Sequence, residues 1–139
     1  MRSVASVSAR PRPSVLTDTT FWIDLSEERQ AGQRGPAFAF LAAHRTGTLE
    51  ISIITWGELA AGFPGPEELD RLLRRVRVLT LARQVAWEAS RIERELRARG
   101  EALGENDNWI AATARAWGLR LVTRDEDFRR VPRLNLVRY

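Results

Sequence analysis

A chain of 139 residues, 44% of them hydrophobic and 29% charged, suits one domain with a continuous core and excludes global disorder. It has no cysteine, no lysine and a single histidine, His44, so disulfides, thiolate zinc sites, lysine Schiff bases and two-histidine ribonuclease chemistry are all excluded. The net charge of +4 comes from arginine alone on the basic side, and guanidinium forks grip phosphate with two hydrogen bonds, which suits a polyanionic partner.

Residues 1–14 are basic and proline-containing, with no continuous apolar stretch. They read as a flexible basic arm rather than a secretory signal. No apolar run approaches the roughly 20 residues that cross a bilayer, so a cytoplasmic protein without membrane contact is expected.

Val15 to Asp18 is a short apolar run bounded by Pro13 and by Thr19-Thr20, which predicts a first strand. Thr19 or Thr20 then caps a short helix through Leu25, and the polar stretch from Glu27 to Gly35 reads as a loop. Pro36 to Arg45 is a helix with Phe38, Leu41 and Ala42 on its apolar side and His44 at its surface end, favoured there by the helix dipole. The isoleucine-rich run from Leu49 to Thr55 predicts a buried second strand, followed by a short helix over Trp56–Ala61. Pro66 opens a helix carrying Leu69, Leu72 and Leu73, and Val76 to Leu81 is the third strand. Ala82 to Arg99 places Val85, Ala89, Ile92 and Leu96 on one helical face, closed by Gly100. A last helix starts at Asn106 or Asp107 and runs to Trp117, with Trp109, Ile110, Thr113, Ala114 and Trp117 turned inward and Gly118 as its cap. Leu119–Thr123 and Leu134–Val137 complete the strands.

Strands separated by helices imply an α/β fold with a mostly parallel sheet of about five strands and helices on both faces. Ligands then bind outside the carboxyl ends of the strands, where strand order reverses. Asp18 and Asp125 fall at such ends, Glu58 follows the second strand by one helical turn, and Asp107 lies in the first turn of a helix, where free N–H groups favour an anion. Carboxylates about 4 Å apart repel by roughly 4 kcal/mol per pair at an effective dielectric near 20, so a gathering of these acids calls for a divalent cation or raised pKa values. The four together read as a metal site. Taken singly, Asp18 and Asp107 also suit simple helix caps, Glu58 a solvated position and Asp125 an exposed acidic turn, with Asp127 its rival. Trp22 and Trp56 flank the acids and suit the wall of a groove, whereas Trp87, Trp109 and Trp117 lie within helices and read as core. Arg124, beside Asp125, is either a phosphate contact or half of a salt bridge.

Four stretches resemble the PIN-domain ribonucleases, and among them the VapC-type toxins of bacterial toxin–antitoxin pairs. These are Leu16-Thr17-Asp18-Thr19-Thr20, Thr55-Trp56-Gly57-Glu58-Leu59-Ala60-Ala61-Gly62, Gly104-Glu105-Asn106-Asp107-Asn108-Trp109-Ile110-Ala111-Ala112 and Leu121-Val122-Thr123-Arg124-Asp125-Glu126-Asp127-Phe128. The likeness covers Val15 to Tyr139, and the ordered set is specific where any one motif is weak. It implies a PIN-like three-layer α/β/α nuclease domain over residues 15–139. It also implies that Asp18, Glu58, Asp107 and Asp125 hold Mg²⁺ or Mn²⁺ for hydrolysis of RNA. Thr20 stands where Asn or Ser is usual and keeps a hydroxyl that can support the site, a role expected of Thr123 as well. Trp22 is bulkier than the aliphatic residue usual there. The resemblance further implies a cognate antitoxin that blocks the cleft, and a homodimer. Three rivals remain: a phosphotransferase with Asp18 as nucleophile, which the missing lysine disfavours; a PIN-like module that binds RNA or protein without cutting; and a nuclease directed at DNA.

Overall fold

The computed structural model describes residues 14–45 and 47–139. Strands β1 (Ser14–Thr17), β2 (Thr48–Ser52), β3 (Val76–Leu79), β4 (Arg120–Val122) and β5 (Leu136–Val137) form one parallel sheet in the order β3-β2-β1-β4-β5. The connections are made by α1 (Thr19–Gln30), α2 (Pro36–Ala43), α3 (Ile53–Ala60), α4 (Pro66–Leu72), α5 (Arg83–Ala98) and α6 (Glu105–Trp117), with a 3-10 turn over Glu126–Arg130. The arm expected over residues 1–14 lies outside the described residues except for Ser14, which belongs to β1.

Alternation along the strands divides the core. Val15, Leu49, Ile51 and Val122 pack with Phe21, Trp22 and Leu25 of α1, Phe40 of α2 and Leu69 of α4. Leu16 and Leu121 point the other way, onto Val85, Ala89, Ile92 and Leu96 of α5 and Ile110, Ala111 and Ala114 of α6. Both faces are covered, which makes the three-layer α/β/α architecture expected from the sequence. Each fully buried Leu or Ile here contributes roughly 1.5–3 kcal/mol.

Several local expectations are corrected. The first helix does not stop at Leu25 but continues to Gln30, through residues with good helix propensity, and ends just before Gly32 at φ 66°. Glu28, expected in a loop, instead caps α2 from that extension: its carboxylate accepts from the backbone N–H groups of Gly35, Ala37 and Phe38 at 3.0, 2.9 and 2.9 Å. Asp18, not either threonine, is the N-cap of α1. The second strand ends at Ser52, whose hydroxyl accepts from Ile54 N at 3.0 Å, so Ile53, Ile54 and Thr55 form the first turn of α3 despite their β-branched side chains. In α2 the buried residues are Ala37 and Phe40, with Phe38 and Leu41 only half-buried and Ala42 exposed. The last helix begins one or two residues earlier than expected, at Glu105. Trp22 is core rather than groove wall, donating its indole N–H to Thr17 Oγ1 at 2.8 Å, whereas Trp87 and Trp117 are exposed rather than core.

Candidate active site

Strand order reverses between β1 and β4, and the carboxyl ends of these two neighbours carry Asp18 and Thr123. Asp18 N donates to Val122 O at 3.0 Å, so the backbone pairing of the two strands runs directly into the site. The Asp18 side chain is almost fully buried. Its Oδ1 accepts from Thr19 N at 2.7 Å, and its Oδ2 accepts from the hydroxyls of Thr123 at 2.7 Å and Thr20 at 3.1 Å. Thr123 Oγ1 in turn accepts from Asp125 N at 3.0 Å, so one hydroxyl ties the turn after β4 to the acid after β1. Burial pushes the Asp18 carboxyl above the ordinary aspartate range; the three hydrogen bonds oppose that rise, and the nearby charge of Asp125 adds to it.

Glu58 reaches the same edge from the last turns of α3. Thr19 Oγ1 donates to its Oε1 at 2.5 Å, and Asn106 Nδ2 donates to its Oε2 at 3.2 Å. The Thr55 hydroxyl, one turn before Glu58 on the same helix, lies 3.2 Å from Thr19 Oγ1. Asp107, in the first turn of α6, completes the group. Its carboxyl is pushed up to about 6, first by burial and then by the charges of Asp18, Asp125, Glu58 and, least, Asp127. The side chains of four separate segments therefore converge. Asp127 stands at the rim, exposed and paired with Arg130.

Among the described residues no ion pair engages Asp18, Glu58, Asp107 or Asp125, although the chain carries 22 arginines. Negative charge is concentrated and left uncompensated, with oxygen donors only, which is the chemistry a hard divalent cation requires. As the side chains stand, no three of the described carboxylates close on a single point in the manner of an all-protein cage. Mg²⁺ does not demand one, since it usually keeps several waters and takes one or two carboxylates directly. The residues fit such an ion.

Arg124 makes a salt bridge. Its guanidinium pairs with both oxygens of Asp24 on α1, Nη2 to Oδ1 at 2.9 Å, and Tyr139 donates its hydroxyl to the same carboxylate at 2.6 Å. Asp24 is held below the usual carboxylate range by these bonds, against the opposing effect of burial. Thr19 and Asn106 are the residues that sequence reasoning missed. A hydroxyl next to Asp18 and an amide next to Asp107 were available as signals, but their target, Glu58, lies 39 and 48 residues away.

Comparison with known proteins agrees with this geometry. The PIN domain family model matches residues 15–134, and the chain belongs to that family. Within it, the chain is 30% identical over 131 residues to Ribonuclease VapC4 of Mycobacterium tuberculosis (strain ATCC 25618 / H37Rv), covering 88% of this chain and 94% of that protein. Its fold matches VapBC-1 from nontypeable Haemophilus influenzae with a TM-score of 0.71 at 26% identity, over 90% of this chain and 97% of that one. VapBC2 from Rickettsia felis, solved bound to a DNA fragment from its promoter, gives a TM-score of 0.76 at 22% identity, over 91% and 98% of the two chains.

Proposed function

We propose that the chain is the endoribonuclease toxin of a VapC-type toxin–antitoxin pair, with residues 15–139 forming its nuclease domain. The observation that carries this reading is the convergence of Asp18, Glu58, Asp107 and Asp125 at the β1–β4 switch point, with no ion pair to any of them among the described residues. Asp18, Glu58, Asp107 and Asp125 are the residues to hold Mg²⁺ or Mn²⁺. Bound there, the ion supplies a water of lowered pKa and offsets charge on the phosphate.

The chain's own residues account for the rest. Thr123, Thr20 and Thr19 N fix the Asp18 carboxylate in one orientation, and Thr19 and Asn106 do the same for Glu58. Preorganised carboxylates need no reorganisation as charge shifts during reaction. Glu58 or Asp107, at the same edge as Asp18, is the acid to orient or take a proton from the attacking water. Hydrolysis adds that water's oxygen to phosphorus and breaks the bond to the 3′ oxygen, which leaves with a proton. The chain would act in the cytoplasm as a homodimer, held inactive by a cognate antitoxin. Relatives solved as VapBC complexes support the antitoxin partner. Among the described residues no helix is long and apolar enough to cross a membrane.

Incubation of the purified protein with structured RNAs and with DNA of the same sequences tests the reading. RNA is expected to be cut with Mg²⁺ or Mn²⁺ and left intact with EDTA. Intact RNA in both metals, or cleavage of DNA alone, would overturn it.

A further inference from the structure

Beside Asp125 lies a recess of about 190 Å³ whose lining includes Thr123, Arg124, Glu126, Arg129 and Arg138. Its volume is well above the roughly 10–15 Å³ that admits a single water, so the recess can receive a solvated group. Two of its residues, Thr123 and Asp125, also belong to the acidic site, so anything seated in it lies next to the reacting phosphate. We infer that this recess is the subsite for the RNA backbone phosphate adjoining the scissile one, with Arg129 and Arg138 as its ligands.

Arg129 forms an ion pair with Glu126, its Nε 2.9 Å from Oε1, and Arg138 donates through Nη1 to the other oxygen of the same carboxylate. One acid thus serves two guanidinium groups, each with five N–H donors, most of them left over. Both side chains are more than half exposed. Exposed ion pairs contribute about 0–1 kcal/mol, so fold stability gives little reason for this pairing. Arg124 is different: both of its edges toward Asp24 are engaged, and it serves as a fixed positive wall rather than a ligand. Glu126 acts as a placeholder, neutralising the pair until a phosphate with more acceptor oxygens takes over. The site acquires a polarity, with acids at the switch point and arginines on the β4–β5 side.

The inference rests on the nuclease reading for the identity of the ligand, but its test is binding, not cutting. Affinity for a single-stranded RNA oligonucleotide is measured by fluorescence anisotropy across a salt series, in an Asp18→Asn background that keeps the RNA whole. Arg129→Ala and Arg138→Ala are each expected to weaken binding about 3- to 10-fold and to lower the salt slope by about 1. Glu126→Gln, which releases both arginines, is expected to tighten binding several-fold. Unchanged affinity and slope in all three variants would overturn the subsite. So would unchanged RNA binding accompanied by weaker binding of a poly-glutamate peptide, which would assign the recess to an acidic protein partner. A wild-type chain that binds through these arginines yet never cuts sinks the nuclease reading and leaves the subsite standing.

Discussion

The two ends of α6 solve the same problem in opposite ways. Near its carboxyl end Arg115, its side chain almost fully buried, donates Nε to Glu88 at 3.0 Å and Nη1 to both Glu95 at 3.1 Å and Pro132 O at 3.2 Å, while Arg133 pairs with Glu95 from outside at 2.8 Å. Charges there alternate and close on themselves. Near the amino end Asp107 faces Asp18, Asp125, Glu58 and Asp127, and among the described residues no arginine pairs with it. A network of alternating sign links α6 to α5, each charge facing an opposite one. An open one of a single sign remains costly until something offsets it, by protonation or by a cation.

Breaking the closed network has the largest expected effect on stability. Arg115→Ala takes a buried guanidinium from Glu88 and Glu95 and leaves them only Arg91 and Arg133, and losing hydrogen bonds to charged groups costs roughly 1.5–3 kcal/mol. Urea unfolding is expected to show that loss in the midpoint with the slope unchanged. A loss under about 0.5 kcal/mol, the range of an ordinary surface substitution, would show that the network holds nothing.

Removing one charge from the open end has the opposite signature. Asp18→Asn keeps the shape and most of the hydrogen bonding of the cap but deletes a buried negative charge. RNA cleavage is expected to fall by roughly 10²- to 10³-fold. The melting temperature of the metal-free protein is expected to rise, because the folded state no longer confines that charge. Loss of activity together with loss of stability would mean that Asp18 serves chiefly as a helix cap.

A smaller change sharpens the same contrast. Asn106→Ala leaves Glu58 Oε2 without its donor while touching no buried group. Partners that orient metal-binding side chains typically carry about 10–100-fold in affinity, and the exposed setting argues for the lower end, near tenfold. The Mg²⁺ concentration that half-saturates cleavage is expected to shift by that factor, with urea unfolding unchanged. An unmoved Mg²⁺ midpoint would leave Thr19 as the sole support of Glu58.

The open end was legible in the sequence and the closed end was not. Acids at strand termini and in a first helical turn are placed by local pattern, so the positions of Asp18, Glu58, Asp107 and Asp125 follow once the element order is read. The parallel sheet and its covered faces follow from the same alternation of strand and helix. What local pattern does not carry is the partner of a polar side chain. Arg124 and Asp24 are 100 residues apart, and nothing near Arg124 says that its fork is already occupied. The tryptophans fail for a related reason. Trp22 is buried because α1 packs on the sheet with Phe21 edge-on at 5.2 Å and Thr17 supplies an acceptor, whereas Trp87 and Trp117 fall on the outward sides of well-packed helices. At Ile53–Thr55 β-branched residues argued for strand, and the Ser52 cap overruled them.

The smallest effect separates the two ends by pH. Asp107 is pushed up to about 6, so the folded state favours its protonated form. The stability tied to that proton is complete below the ordinary aspartate value near 4 and is lost as pH rises through about 6. Glu95 has the reverse sign: the hydrogen bond from Arg133 holds it below the usual glutamate range despite partial burial, so its contribution is present above the ordinary value and disappears only on acidification. Between pH 4.5 and 6.5 the closed end is therefore silent and the open end titrates. Metal-free protein is expected to lose about 1 kcal/mol of unfolding free energy across that window, once solvent screening of the half-buried Asp107 is allowed for. Asp107→Asn is expected to flatten the profile and Glu95→Gln to leave it in place. Saturating Mg²⁺ is expected to flatten it too, because a bound cation favours the ionised acids that the empty arrangement penalises. A profile that rises over this window in the metal-free protein would mean that the acids at the switch point are already compensated, and the contrast between the two ends of α6 would collapse.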